Sequence, residues 1–95
     1  MFAVAALEVV AFLGSPLHLD CGPGSAVNVD WRYEDKDHVG HLISVNGRIR
    51  GSDGRFALDE QGLIINEVKT GDAGTYICGK GSSVYQKIRL NVSCE

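Results

Sequence analysis

Asp72-Ala73-Gly74-Thr75-Tyr76-Ile77-Cys78 is the stretch that decides the fold class of this chain. It opens in a corner over residues 70–74, built from Thr, Gly, Asp and Ala, and passes directly into alternation. Tyr76 and Cys78 share one side and Ile77 takes the other, as successive residues of a strand must. Working outward, Leu63 and Ile65 alternate before the corner. Further upstream, Leu17, Leu19 and Cys21 share a face with His18 and Asp20 opposite. Val27, Val29, Trp31 and Tyr33 share another, with Asn28, Asp30, Arg32 and Glu34 opposite. No window sustains a helical period, so the chain reads as strands. Twelve glycines against two prolines punctuate it at short intervals, which is the rhythm of strands joined by tight turns.

The remaining strands are expected at residues 41–45, 48–50, 55–58, 63–65, 75–79 and 84–92. Residues 35–40 are read as a polar turn. Asn46-Gly47 is the strongest hairpin signal, because both residues tolerate positive φ. Residues 1–13 are read as the first strand; the alternative, a signal-peptide remnant at residues 2–7, lacks a basic flank, and Glu8 interrupts the apolar run. The expectation is one all-β domain over residues 1–95, with about eight strands around a single core.

Composition narrows the function classes. A net charge of −3 removes the basic footprint of a nucleic-acid binder and argues against electrostatic docking to an anionic membrane. No apolar stretch is long enough to cross a bilayer, so membrane attachment would require a segment outside this chain. Three cysteines and three histidines offer no standard zinc complement, and one structural disulfide plus one odd thiol is the simpler reading. Asp35, Asp37, His38 and His41 cluster within a few residues but read as a solvated turn and not as a metal site. Ser82, Ser83 and Ser93 lie in no nucleophile arrangement, and Gly22-Pro23-Gly24-Ser25 lacks the lysine of a phosphate loop. No enzyme, cofactor, metal or small-molecule substrate is expected.

Cys21, then Trp31, then Leu63-Ile64-Ile65, then the run from Asp72 to Cys78 together resemble an immunoglobulin domain, over about residues 8–92. The resemblance implies a two-sheet Greek-key sandwich with a Cys21–Cys78 disulfide between sheets, Trp31 packed on it, and Leu63 and Ile65 inward. It also implies a Tyr76 corner and an Arg55–Asp72 ion pair at the base of the sandwich. The Arg55–Asp72 match and the Asn46-Gly47 hairpin favour a compact variable-type domain with a reduced or missing C″ strand, with the intermediate type as the other possibility. Val84-Tyr85-Gln86-Lys87-Ile88 stands where antigen-receptor variable domains carry a Phe-Gly-x-Gly bulge. The likeness is therefore to cell-surface immune-type receptors, extracellular at the plasma membrane or secreted. Adhesion or matrix modules and antigen-receptor-like variable domains are the alternatives.

With Trp31 and Cys78 inward, Arg32, Glu34, Ile77 and Gly79 are expected to face outward, as are Tyr85, Lys87 and Arg89. An apolar centre of Ile77 and Tyr85, rimmed by Arg32, Glu34, Lys87 and His41, would suit a protein ligand or a second copy of the chain. The loop end at residues 22–28, 46–50 and 79–83 is the rival site, ranked second because it has no aromatic anchor. Asn91-Val92-Ser93 is a glycosylation sequon. Cys94 follows where a stalk or linker would begin, and is the candidate for an interchain disulfide.

Overall fold

Strands form where the residues alternate. The computed structural model describes residues 6–22, 28–51, 54–60 and 62–94. Outside these residues lie the leading residues 1–5, residues 23–27 of the expected loop, Ser52, Asp53, Gln61 and Glu95. Nine strands are present among the described residues: β1 Ala6–Phe12, β2 Leu17–Asp20, β3 Asp30–Glu34, β4 Gly40–Val45, β5 Arg48–Ile49, β6 Phe56–Leu58, β7 Gly62–Ile65, β8 Gly74–Lys80 and β9 Ser83–Ser93. A 3-10 turn at Thr70–Asp72 makes the corner before β8.

The strands form two sheets, ordered β1-β9-β8-β3-β4-β5 and β2-β7-β6. The chain crosses between sheets from β1 to β2, from β2 to β3, from β5 to β6 and from β7 to β8, so the fold is an all-β sandwich, the class expected from the sequence. Inward residues of both layers meet in one core. Leu19, Leu63 and Ile65 come from the small sheet, Cys21 directly follows β2, and Trp31, Tyr76, Cys78, Ile88 and Leu90 come from the large sheet. Cys21 and Cys78 are joined across the layers, their Cα atoms 5.7 Å apart and 57 residues apart in sequence. Closing a loop of that length in the unfolded chain stabilises the fold by about 4 kcal/mol on the chain-entropy account. Trp31 lies directly opposite Cys78 in the β3–β8 ladder, so the indole and the disulfide belong to the same buried layer.

Local chemistry sets the corners. Asn46 and Gly47 have φ of 52° and 76°, the left-handed pair that a two-residue hairpin turn requires. The Asp30 carboxylate accepts the Asn46 N–H at 2.9 Å and ties this turn to the start of β3. Beyond it, β5 keeps only two residues. Two bulges disturb the large sheet. In the first, Trp31 pairs with Ser44 but Arg32 with Leu42, leaving Ile43 as the extra residue. The Ser44 hydroxyl, fully buried, accepts the Trp31 N–H at 3.2 Å. In the second, Cys78 pairs with Gln86 but Gly79 with Val84, leaving Tyr85 extra.

Candidate interaction face

The outer face of the large sheet is assembled row by row from directly opposed residues, which point the same way in neighbouring strands. One row runs Leu42–Arg32–Ile77–Lys87–Ala6 across β4, β3, β8, β9 and β1. The next runs Glu34–Thr75–Arg89–Glu8, closed by an Arg89–Glu8 ion pair at 3.3 Å. Arg32, Ile77 and Lys87 are thus brought together, with Glu34 one row away. Ile77 and Lys87 are half-buried while Arg32 is exposed. The aliphatic stems of the two cations flank the isoleucine, so part of their apolar length belongs to the same surface. Tyr85 is 40% exposed at its bulge.

Three expectations need correcting. His41 does not belong to this face. It pairs with Tyr33 and stacks on its ring at 5.8 Å, on the opposite side from Arg32 and Glu34. Leu42 takes the place beside Arg32 and is 46% exposed. Gly79 is buried and not outward, because the bulge brings the Ser83 carbonyl so close that a Cβ on Gly79 would overlap it. Finally, the last strand does bulge, although it lacks the glycines of the Phe-Gly-x-Gly pattern.

On the inner side of the same strands, two tyrosines clamp the corner. The buried Tyr76 hydroxyl donates to the Asp72 carbonyl at 2.8 Å. The Tyr33 hydroxyl reaches the Gly71 and Ala73 carbonyls at 3.0 and 2.7 Å. Burial, and then the nearby Asp72 charge, pushes the Tyr76 phenol well above its ordinary range; burial also raises Tyr33, though less. The Asp72 carboxylate accepts from Arg55 at 2.6 Å and from the Lys69 N–H at 2.7 Å. Sequence reading found Tyr76, Arg55 and Asp72 but missed the corner role of Tyr33, which no local motif signals.

The β3–β4 turn is organised by Asp35. One carboxylate oxygen accepts the N–H groups of Asp37 and Val39 at 2.9 Å each, and the other meets His41 Nε2 at 3.1 Å. The His41 hydrogen bond first, then that of the Val39 N–H, holds the Asp35 carboxyl below its ordinary pKa. His38 sits 3.1 Å from Glu34. These acids and imidazoles thus pair among themselves, and no group of three or more His, Cys, Asp or Glu is placed to hold a metal ion among the described residues. An open cleft of about 490 Å³ lies between the sheets, lined by Tyr33, His41, Arg50, Arg55 and Phe56 among others. Asn91 is exposed on β9, and Cys94 is an exposed free thiol just past its end.

No protein-family model matches the chain, and a search of curated proteins finds no relative. Among solved structures the chain is similar to Drosophila Semaphorin 2a, with a TM-score of 0.77 and 24% identity. The match covers 97% of this chain and 15% of the semaphorin chain, so this chain spans a small part of that neighbour. At that identity the likeness concerns the fold alone. As 1481 solved chains match, the sandwich is widely shared and selects no function by itself.

Proposed function

We propose that this chain is an immunoglobulin-type recognition domain, of the compact variable type, that binds a protein ligand or a second copy of itself and performs no catalysis. It acts on the extracellular side of the plasma membrane, as part of an immune-type receptor, or in secreted form. The reading of an oxidising compartment is supported by the Cys21–Cys78 disulfide within a small domain. The partner surface is the outer face of the large sheet. The observation that carries it is the row Leu42–Arg32–Ile77–Lys87, with exposed Tyr85 nearby. Leucine and tyrosine at the surface, set among arginine and lysine, give the apolar centre and charged rim of which protein interfaces are made. Cys94, on this reading, tethers two copies and raises their effective concentration to about millimolar.

Light scattering of the secreted chain, with and without reductant, and staining of cells with fluorescent multimers test it together. Leu42→Asp and Ile77→Asp are expected to weaken self-association or cell binding by about 30-fold or more, the effect of losing a central anchor worth about 2 kcal/mol. His18→Ala, on the opposite sheet, is expected to leave both unchanged. Non-covalent association and staining that survive both Asp substitutions, with the Cys21–Cys78 bond intact, would remove this face from consideration.

A further inference from the structure

A second apolar strip lies on the outer face, away from Leu42 and Ile77. In the parallel β1–β9 ladder, Val10 pairs with Asn91 and Phe12 with Ser93. Ala11 and Leu90 are buried, so the alternation sends Val10, Phe12 and Asn91 to the outer side. There Val10 is 64% and Phe12 54% exposed. β8 leaves the ladder at the Gly74–Leu90 pair, so among the described residues β1 alone flanks β9 within the sheet from Asn91 onward. Adjacent strands are about 4.8 Å apart and residues rise about 3.3 Å each, which puts the Phe12 Cα about 8 Å from that of Asn91. Asn91-Val92-Ser93 is a sequon, and its asparagine stands exposed beside two of the most exposed apolar side chains of the fold.

We infer that Asn91 carries an N-linked glycan whose first sugars lie over Val10 and Phe12 and cover this strip. The chemistry matches. An N-acetylglucosamine ring has an apolar C–H face and an acetyl methyl group to set against valine and phenylalanine, while its hydroxyls stay in water. The bond joins the asparagine side-chain nitrogen to the sugar anomeric carbon, and the lipid pyrophosphate of a dolichol-linked donor leaves. The inference rests on the extracellular reading proposed above. It adds a division of labour across one face: the β1–β9 end is shielded by carbohydrate, which leaves the end with Leu42, Ile77 and Tyr85 for a protein partner.

The test uses the chain secreted from mammalian cells. Intact mass before and after N-glycosidase F is expected to show one glycan, with Asn91 converted to aspartate on its release. Removing the sugar is expected to raise anilinonaphthalene-sulfonate fluorescence at least about two-fold, as apolar surface is uncovered. The new aspartate repels this anionic dye, so the rise is measured against an opposing effect. A Val10→Thr/Phe12→Thr double variant is expected to abolish the rise. A secreted chain with an oxidised Cys21–Cys78 bond and a bare Asn91 overturns the inference and leaves the compartment reading standing. So does a glycosylated chain whose dye fluorescence is unchanged on deglycosylation, or one whose glycosylated form dimerises through Val10 and Phe12. Reduced Cys21 and Cys78 in the secreted chain would overturn the compartment reading itself.

Discussion

Breaking the Arg55–Asp72 pair from each side in turn separates the cost to a buried anion from the cost to a better-solvated cation. The Asp72 side chain is 6% exposed and that of Arg55 27%, with Nη2 and Oδ2 2.6 Å apart. An exposed pair contributes under about 1 kcal/mol, whereas removing one partner of a buried pair costs about 3–5. This pair lies between those limits, nearer the second on the aspartate side. Arg55→Met takes the guanidinium from the buried carboxylate and leaves it the Lys69 N–H, and is expected to cost about 2–3 kcal/mol. Asp72→Asn keeps an acceptor for that N–H and leaves the charge on the better-solvated arginine, so about 1–2 kcal/mol is expected. In a domain of this size each kcal/mol lowers Tm by about 4–8 °C, so Arg55→Met should melt about 10–20 °C below the parent. Urea and thermal unfolding of both single variants and the double variant complete the cycle, with a coupling of about 1–2 kcal/mol expected. Equal losses below about 0.5 kcal/mol, or a larger loss for Asp72→Asn, would refute the burial argument.

Gly62→Ala is expected to cost about 3 kcal/mol or to prevent folding, because its Cβ would overlap the Leu19 carbonyl oxygen. Gly71→Ala, with no atom within 4 Å of the added carbon, should unfold within about 0.5 kcal/mol of the parent in the same urea series. Asp35 should titrate below the ordinary carboxylate range by carbon-detected NMR, and His41→Ala should move its midpoint upward. A depressed carboxyl pKa means that the turn's brace is complete above the ordinary carboxylate range. It is lost as the pH falls through the lowered value, so an Asp35 midpoint unaffected by His41→Ala would contradict the assignment. Replacing Cys21 and Cys78 by alanine should lower stability by about 4 kcal/mol, measured from the urea midpoint.

How far the sequence could be read follows from where its periodicity is undisturbed. Leu19, Trp31, Tyr76, Cys78, Ile88 and Leu90 lie in unbroken alternating runs, and each is buried as that alternation implies. The Asn46-Gly47 turn was equally legible, since its geometry depends on two residues alone. Reading by parity fails at the bulge between Trp31 and Arg32. One extra residue there puts Leu42 on the outer face opposite Arg32 and turns His41 to the other side, opposite Tyr33. Gly79 fails for the same reason at the second bulge. The outward strip of Val10 and Phe12 was hidden for a different reason: the register of β1 is fixed by β9, some eighty residues away in the chain, and no local pattern encodes it.

That long-range ladder has a mechanical consequence. β1 and β9 run in the same direction through seven paired positions, so the chain enters at Ala6 at one end of the ladder and leaves at Ser93 at the other. Tension applied through the two ends slides these strands along each other and loads the whole row of backbone bonds together, whereas a hairpin pulled at its open ends unzips one bond at a time. The domain is therefore wired to resist stretching along its own axis, a property suited to a module strung between a fixed point and a pulling one.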